Sequence, residues 1–292
     1  MKIFPDCLPC HIRQVERVLD RLQMPAKETF LIYQKVFQAL SDCPSDITPV
    51  ELAAIVYTEV ERLTGIQDPY EQEKELSNKV AFQILSHLRE TMSFSEQPLS
   101  FFALMTVVAN QIDCGAFQVD LSQLQRRFVE TLQNSRFRLD RFEGFEKKLR
   151  GAKTLLYLLD NAGEVVFDLY FMQNIKKQYP QIKISAAYRS EPMINDVTET
   201  DLRSVEPALK EGIDLFNSGS PYPGILFPEV SELFKNRFEH ADLILSKGQG
   251  NLEGLFDRRK PDLYFGLMVK CRSISTLLGI PVGALVFSNF AD

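Results

Sequence analysis

The pattern of apolar positions divides the chain into two halves with different periods. Up to about residue 150, apolar side chains recur every three or four residues, which is the spacing of amphipathic helices. No β-alternation is evident before residue 153, so the first half is predicted to be helical. Predicted helices lie near 12–22, 30–40, 50–63, 71–87, 101–110 and 121–130, with a charged helix or connector at 138–148.

The second half alternates short apolar runs with amphipathic segments. Strands that alternate with helices imply right-handed crossovers and a mostly parallel sheet covered on both faces. The predicted fold class is therefore α/β, with a helical region over 1–150 that packs on a sheet domain over 151–292 and covers part of its crevice. The predicted strands are 153–159, 182–188, 213–216, 241–246, 262–268 and 282–287.

Charge and composition limit the classes of partner. The chain of 292 residues has a formal net charge of −6 and no run rich in Lys or Arg. This argues against a nucleic acid or an anionic membrane as the partner. No apolar run is long enough to span a bilayer, and the first residues lack the apolar core of a signal peptide, so a cytoplasmic protein is predicted. Five cysteines do not form a disulfide framework in a chain of this size.

The stretch KTLLYLLDNAGEVVF at 153–167 predicts a buried strand, a sharp acidic turn and a helix. Gly163 permits the turn, and Glu164 suits the first turn of a helix. Asp160 and Asn161 then lie at the carboxyl end of a strand, where open α/β sheets bind ligands. Their oxygen atoms suit Mg²⁺ or Mn²⁺. Alternatively, the two residues only cap the helix.

Another acidic turn follows the second predicted strand. Asn195 and Asp196 precede a predicted helix, after a proline at 192 that delays its start. If the first two strands are neighbours, Asp196 approaches Asp160 and Asn161. Two carboxylates and an amide, completed by waters, form a plausible Mg²⁺ or Mn²⁺ site. Helix capping is again the alternative interpretation.

The fourth predicted strand ends in Ser246-Lys247-Gly248-Gln249-Gly250-Asn251. Two glycines let backbone N–H groups approach an anion closely, and Lys247 adds a full positive charge. The spacing is neither that of a P-loop nor G-x-G-x-x-G. The alternative interpretation is a plain turn.

Other polar positions carry weaker signals. Cys7-x-x-Cys10-His11 could be half of a zinc site or a redox pair, but no second pair completes a zinc site, and we assign the motif no function. Asn110 and Asp113 lie at a predicted helix end, where such residues usually act as caps. Lys74 follows Asp68 and Tyr70 in a polar-aromatic cluster, and Lys270 and Cys271 follow the fifth strand.

Several of these segments resemble the signatures of one known family. LLDNAGE at 158–164, INDV at 194–197 and SKGQGNLE at 246–253 are similar to those of the damage-control phosphatases, also catalogued as domain of unknown function 89. The prokaryotic subgroup of the family is resembled by CLPCHIRQ at 7–14, DPY at 68–70 with Lys74, and NQID at 110–113. The resemblance covers nearly the whole chain in order, although Ala109 stands where this subgroup often has glycine.

The resemblance implies a helical region packed on a Rossmann-like, doubly wound sheet. It implies phosphatase activity on small phosphorylated metabolites, such as sugar phosphates or damaged cofactor intermediates. A divalent cation (Mn²⁺, Mg²⁺, Ni²⁺ or Co²⁺) would be held by Asp160, Asn161 and Asp196, and Lys247 would touch the phosphate. Asp160 and Lys247 are thus the expected catalytic residues. The expected substrate-binding residues are Lys74, Asn110, Asp113, Gly248, Gly250, Asn251 and Glu253.

The sequence leaves alternatives open for both the mechanism and the function. The attacking group could be a metal-bound water or a carboxylate such as Asp160. One alternative function is an S-adenosylmethionine-dependent carboxyl methyltransferase, which has been proposed for the eukaryotic branch of the family. That enzyme would need a glycine-rich loop after the first strand, whereas this chain has DNAGE. A further alternative is a non-catalytic metabolite or metal sensor.

Overall fold

Helices form the N-terminal part of the computed structural model, which describes residues 1–111 and 121–291. They confirm the predicted helices, with boundaries that differ by a few residues. Among the described residues, no helix combines the length and the apolar content that crossing a membrane requires. The helices are α1 Cys7–Arg21, α2 Ala26–Ser41, α3 Pro49–Thr64, α4 Glu71–Thr91, α5 Leu99–Val108 and α6 Leu121–Asn134.

The start of α3 shows how local sequence sets these boundaries. The Thr48 hydroxyl accepts a hydrogen bond from the Glu51 amide at 3.2 Å, and the Glu51 carboxylate accepts one from the Thr48 amide at 2.6 Å. Pro49 occupies the first helical turn. This reciprocal capping satisfies amides that have no partner inside the helix, so the helix begins at Pro49.

The described residues form one sheet of seven strands in the order β1-β7-β6-β5-β2-β3-β4. Every neighbouring pair is parallel except β6 and β7, which are antiparallel. The predicted α/β class with a mostly parallel sheet is confirmed. The strands are β1 Phe137–Asp140, β2 Thr154–Leu158, β3 Lys183–Tyr188, β4 Ile213–Asn217, β5 Leu243–Lys247, β6 Leu263–Met268 and β7 Leu285–Asn289.

Strand β1 corrects the start of the charged helix or connector predicted at 138–148, whereas residues 142–149 do form a helix. Phe137 and Leu139 are half-buried, whereas Arg138 and Asp140 are exposed, so β1 alternates as an edge strand does. Four residues with two charges are too short a pattern to outweigh the charged segment that follows. The domain boundary near residue 150 stays a prediction, and β1 lies before it.

Helices cover both faces of the sheet. Leu155 and Tyr157 of β2 belong to an apolar core shared with α4 and α5, and Leu156 and Leu158 belong to a second core on the opposite face. Alternate residues of one strand thus enter different cores, as the predicted doubly wound sheet requires. The remaining helices are α7 Phe142–Leu149, α8 Glu164–Gln178, α9 Glu199–Arg203, α10 Pro207–Lys210, α11 Glu232–His240, α12 Gln249–Leu255 and α13 Arg272–Leu278.

The strand order creates a switch point beside β2. The chain runs outward from β2 to β3 and β4, then returns to place β5 on the other side of β2. The segments that leave β2 and β5 therefore diverge at the carboxyl edge of the sheet. Such a point opens a crevice, and it is the usual ligand site of open α/β sheets.

Core packing yields the first testable prediction. Phe145 of α7 is fully buried, with ring centroids 5.3 Å from Tyr264 and 5.2 Å from Phe287. Phe145→Ala should lower the free energy of unfolding by about 3–5 kcal/mol, because it removes an aromatic ring and leaves a cavity. Phe30 of α2 is 66% exposed. Phe30→Ala, the control, should stay within about 0.5 kcal/mol of the wild type in urea denaturation. Equal losses in the two variants would contradict this packing.

Candidate functional site

A cavity of about 600 Å³ lies at the carboxyl edge of the sheet, beside the switch point. Helix α1 and the start of α3 form one wall, and the segments that follow the strands form the other. Each segment comes from a different strand, so the strand order brings together residues that are distant in sequence. On the sheet side the lining residues include Asp160, Asn161, Ile194, Asn195, Asp196, Gln249, Gly250, Glu253, Lys270, Cys271 and Arg272.

The two acidic turns meet at the floor of this cavity. Asn161 and Asp196 form an isolated antiparallel bridge. The Val197 amide donates to the Asp160 carbonyl at 2.8 Å, and the Ala162 amide donates to the Asn195 carbonyl at 2.9 Å. The backbone therefore brings Asp160, Asn161 and Asp196 together, and each of the three side chains is at most 6% exposed.

Asn161 is oriented by two carboxylates. Its Nδ2 donates to Asp160 Oδ2 at 2.8 Å and to Glu164 Oε1 at 2.6 Å. Both amide protons are thereby occupied, so the carbonyl oxygen is the atom that Asn161 can offer to a ligand. Glu164, which the sequence indicated only as a favourable acid at a helix start, thus fixes a neighbouring candidate ligand.

Lys247 lies beneath this floor and is 1% exposed. Its Nζ donates to the Thr106 carbonyl at 3.0 Å, to Glu164 Oε2 at 3.2 Å and to Asp168 Oδ1 at 3.0 Å. An ammonium has three donors, and all three have partners here. Lys247 is absent from the described lining of the cavity. The predicted contact with a phosphate would require one of these bonds to break.

Arg189 plays a similar part under the second acidic turn. Its Nε donates to Asp196 Oδ2 at 2.6 Å, and its Nη2 donates to Asn251 Oδ1 at 2.8 Å. Asn251 in turn donates to the carbonyls of Leu159 and Lys247, at 3.1 and 2.8 Å. Asn251, predicted to bind substrate, is fully buried in this network and ties β2, β3 and β5 together.

The electrostatic environment raises the pKa of the floor carboxyls. Burial, reinforced by repulsion from Glu164 and Asp196, raises the pKa of Asp160 to about 8. Burial also raises the pKa of Asp196, although Arg189 opposes the rise. Below them, burial raises the pKa of Asp168 to about 6, against the attraction of Lys247. Burial lowers the pKa of Lys247, but Asp168 and Glu164 outweigh that effect, and the net shift is upward.

The two glycines after β5 serve close packing. Gly248 has φ +80°, and a Cβ there would lie 2.0 Å from Asp160 Oδ2. Its amide donates to the Gly266 carbonyl at 3.1 Å, so that donor is already used inside the protein. A Cβ on Gly250 would lie 2.1 Å from the Pro223 carbonyl oxygen. Glycine at 248 therefore makes room for the Asp160 carboxylate, and Gly250 still lines the cavity.

The remaining predicted substrate residues are dispersed. Lys74 is 1% exposed and pairs with Asp68 at 2.7 Å and Asp201 at 2.9 Å. Asn110 donates to Glu164 beneath the floor. Glu253 lines the cavity, accepts from Gln249 at 2.9 Å, and has its pKa raised to about 7 by burial. Asp113 lies outside the described residues.

Several residues of the site escaped the sequence patterns. Asn78 of α4 accepts from the Gly163 amide at 2.7 Å and donates to the Asp201 carbonyl at 3.0 Å, so it supports the segments after both β2 and β3. Ile194 adopts φ +51°, which is rare for a β-branched residue, immediately before the second acidic turn. Backbone strain of this kind concentrates at functional sites.

Sulfur atoms also face the cavity. Cys7 and Cys10 of the C-x-x-C motif and Cys271 line it. Burial raises the pKa of both Cys7 and Cys10, so these thiols are protonated at neutral pH. The C-x-x-C motif, to which we assigned no function from the sequence, therefore forms part of the wall opposite the two acidic turns.

Comparison with known proteins identifies relatives of similar length. The family model described as the damage-control phosphatase ARMT1-like domain matches residues 3–286. The chain is 31% identical over 292 residues to an uncharacterised protein of Methanocaldococcus jannaschii, which covers 97% of this chain and 94% of that protein. It is 30% identical over 291 residues to a damage-control phosphatase of Archaeoglobus fulgidus, which covers 98% of each.

A solved structure shares the fold. The crystal structure of a DUF89 family protein from Pyrococcus horikoshii superimposes with a TM-score of 0.91 at 24% sequence identity, and covers 99% of each chain. At that identity the likeness concerns the fold. The family model spans nearly the whole sequence, and the M. jannaschii relative is 31% identical over 97% of this chain. This chain therefore belongs to the damage-control phosphatase ARMT1-like domain family.

Proposed function

We propose that this protein is a phosphatase that depends on a divalent metal ion and hydrolyses small phosphorylated metabolites. Two relatives, from Archaeoglobus fulgidus and Pyrococcus horikoshii, are named damage-control phosphatases. The observation that carries the proposal is the excess of buried carboxyl groups at and beneath the floor of the cavity. It defines a place where a cation would be stabilised next to a space large enough for a metabolite.

The excess can be counted by charge. Lys247 pairs with Glu164 and Asp168, and Arg189 pairs with Asp196. Asp160 has no ion-pair partner among the described residues, and it has the pKa of about 8. If all four carboxyls ionised, two negative charges would remain, which is the charge that a divalent cation balances. The carboxyls are Asp160, Glu164, Asp168 and Asp196, and the buried cations are Arg189 and Lys247.

The donor set fits a hard cation. Asp160, Asn161 and Asp196 would hold the ion through oxygen atoms, as Mg²⁺ and Mn²⁺ prefer, and Ni²⁺ or Co²⁺ also accept such ligands. Within the part of the chain that the structure describes, no group of three or more His, Cys, Asp or Glu side chains could hold a metal ion. The amide oxygen of Asn161 is therefore an essential member of the set, and oxygens of water or substrate would complete it.

Hydrolysis transfers the phosphoryl group to water, breaks the bond between phosphorus and the ester oxygen, and gives a proton to the departing alcohol. The bound cation would supply positive charge for the phosphoryl oxygens. Lys270 lines the cavity and opposes the rise in pKa of Asp160 and Asp196, and its ammonium would bind a phosphoryl oxygen. Glu253, with a pKa of about 7, is suited to move the proton.

Lys247 would contribute indirectly. It holds Glu164, and Glu164 holds the Asn161 amide. Residues that hydrogen-bond to metal ligands fix the orientation of those ligands. The attacking group can be water or the Asp160 carboxylate. Acid quenching during turnover distinguishes them, because a covalent phosphoenzyme forms only if the carboxylate attacks.

The first functional prediction concerns the floor carboxylate. Asp160→Asn should reduce metal-dependent hydrolysis of a phosphoester panel by at least about a hundredfold, because it removes a charged ligand without changing the size of the side chain. Asp214 of β4 pairs with Arg237 at the surface and does not line the cavity. Asp214→Asn, the control, should keep wild-type turnover. A wild-type rate in Asp160→Asn would remove Asp160 from the proposed site.

The second prediction concerns pH. A cation must displace the proton from Asp160, whose pKa is about 8 in the metal-free protein. Affinity for Mn²⁺ should therefore increase as pH rises, by up to about tenfold per pH unit below pH 8, with release of a proton. Titration calorimetry in buffers of different ionisation enthalpy measures both quantities. Affinity that is constant from about pH 6 to pH 9 would contradict the role of Asp160 as a ligand.

A further inference from the structure

Two arginines of α1 line the wall of the cavity that faces the sheet. Arg13 and Arg17 are four residues apart, so they share one face of the helix. The opposite face of α1 carries Val15, Val18 and Leu19, which are buried in the apolar cluster formed with α2 and α3. Packing of α1 through its apolar face therefore directs the two exposed arginines to the cavity and the solvent at its mouth.

Neither arginine is neutralised by the protein. Among the described residues, no hydrogen bond or ion pair involves the guanidinium of Arg13 or Arg17. Arg21, on the same helix, behaves differently, since it pairs with Glu73 and lies 4.0 Å above the Tyr70 ring. The chain has 39 acidic and 33 basic side chains, so carboxylates are not scarce. The positive charges of Arg13 and Arg17 are therefore available to a ligand.

A third donor from α1 lines the same cavity. Gln14 lines the cavity, and its Oε1 accepts from the Tyr57 hydroxyl at 3.0 Å and lies 3.1 Å from His11 Nδ1. Tyr57 is 7% exposed and His11 is 8% exposed, so both are held by packing. With its oxygen fixed there, Gln14 presents its amide N–H groups to the cavity.

The cavity is larger than one phosphate group requires. Its volume of about 600 Å³ falls in the range of sites that hold whole metabolites. The phosphoryl group would occupy the sheet side, at the floor carboxyls and Lys270. The two arginines of α1, on the opposite wall, would then meet the other end of the same molecule. A guanidinium binds a carboxylate or a second phosphate through two parallel N–H donors.

We infer that Arg13, Gln14 and Arg17 form a second anion-binding subsite, and that the substrate is a small phosphomonoester with a further carboxylate or phosphate at its far end. The inference rests on the proposed function for the position of the first phosphate. It narrows the substrate class from phosphorylated metabolites in general to those with two anionic groups.

Matched ligands test this subsite. Glycerol 3-phosphate and 3-phosphoglycerate differ only in that a CH₂OH group is replaced by a carboxylate. Their phosphonate analogues, in which CH₂ replaces the ester oxygen, cannot be hydrolysed, so titration calorimetry with saturating Mn²⁺ measures binding alone. The wild type should bind the carboxylate-bearing analogue at least about tenfold more tightly.

A hexose 6-phosphate and a hexose 1,6-bisphosphate, compared by kcat/KM, test a second phosphate in place of the carboxylate.

Variants of α1 should remove the preference. In Arg13→Gln/Arg17→Gln the two phosphonates should bind with nearly equal affinity, because the anion loses its charged donors, while binding of the glycerol analogue stays close to that of the wild type. Arg13→Lys/Arg17→Lys keeps the charge and should restore part of the preference. The control Arg62→Gln/Arg203→Gln removes two exposed charges that already pair with Glu59 and Glu199 outside the cavity. It should leave the ratio of affinities unchanged.

The outcomes separate the two proposals. Equal affinities in the wild type, or a preference that survives in Arg13→Gln/Arg17→Gln, would overturn the second subsite. If the protein binds the analogues with the expected ratio but hydrolyses no phosphoester, the proposed function fails and the subsite stands. Turnover at the same kcat/KM of substrates with one anionic group and with two would support the phosphatase and reject the subsite.

Discussion

The site depends on ionised side chains that are buried together beneath one cavity. Lys247 and Arg189 are each 1% exposed, and both bind carboxylates that are also buried. Such pairs are tolerated when their geometry is good and further hydrogen bonds support them, and removal of one partner typically costs about 3–5 kcal/mol. The groups beneath the floor therefore hold one another in place, and Asn161 and Asp196 take their orientation from that network.

The strand order makes this network possible. Lys247 is the last residue of β5, Asp160 follows β2, and Arg189 follows β3. Because β5, β2 and β3 are adjacent and parallel, their carboxyl ends lie side by side. A shift of one residue in the pairing of β5 with β2 would turn Lys247 to the other face of the sheet. The register that buries the apolar faces thus also sets the position of the charges.

Local patterns predicted much of this arrangement and failed where distant contacts decide. The apolar runs and the DNAGE turn predict the strands and acidic turns of the second half, because each depends on a few consecutive residues. The approach of Asp196 to Asp160 was conditional on the first two predicted strands being neighbours, and the sheet order meets that condition. Lys247 looked like an anion-binding lysine beside two glycines. Its partner Asp168 is 79 positions away in sequence, and no residue close to Lys247 in the sequence indicates this ion pair. Gly248 was equally ambiguous, since only the fold shows that the Asp160 carboxylate fills the space.

The two walls of the cavity are constrained in different ways. On the sheet side most polar groups are buried and mutually bonded, so a change there would disturb both the fold and the proposed metal site. On the α1 side the two arginines are exposed at helical spacing, and in the sequence they look like a solvated helix face. Their substitution leaves the apolar face of α1 intact. A fold built in this way can keep one reacting centre while the facing helix changes the ligand that reaches it.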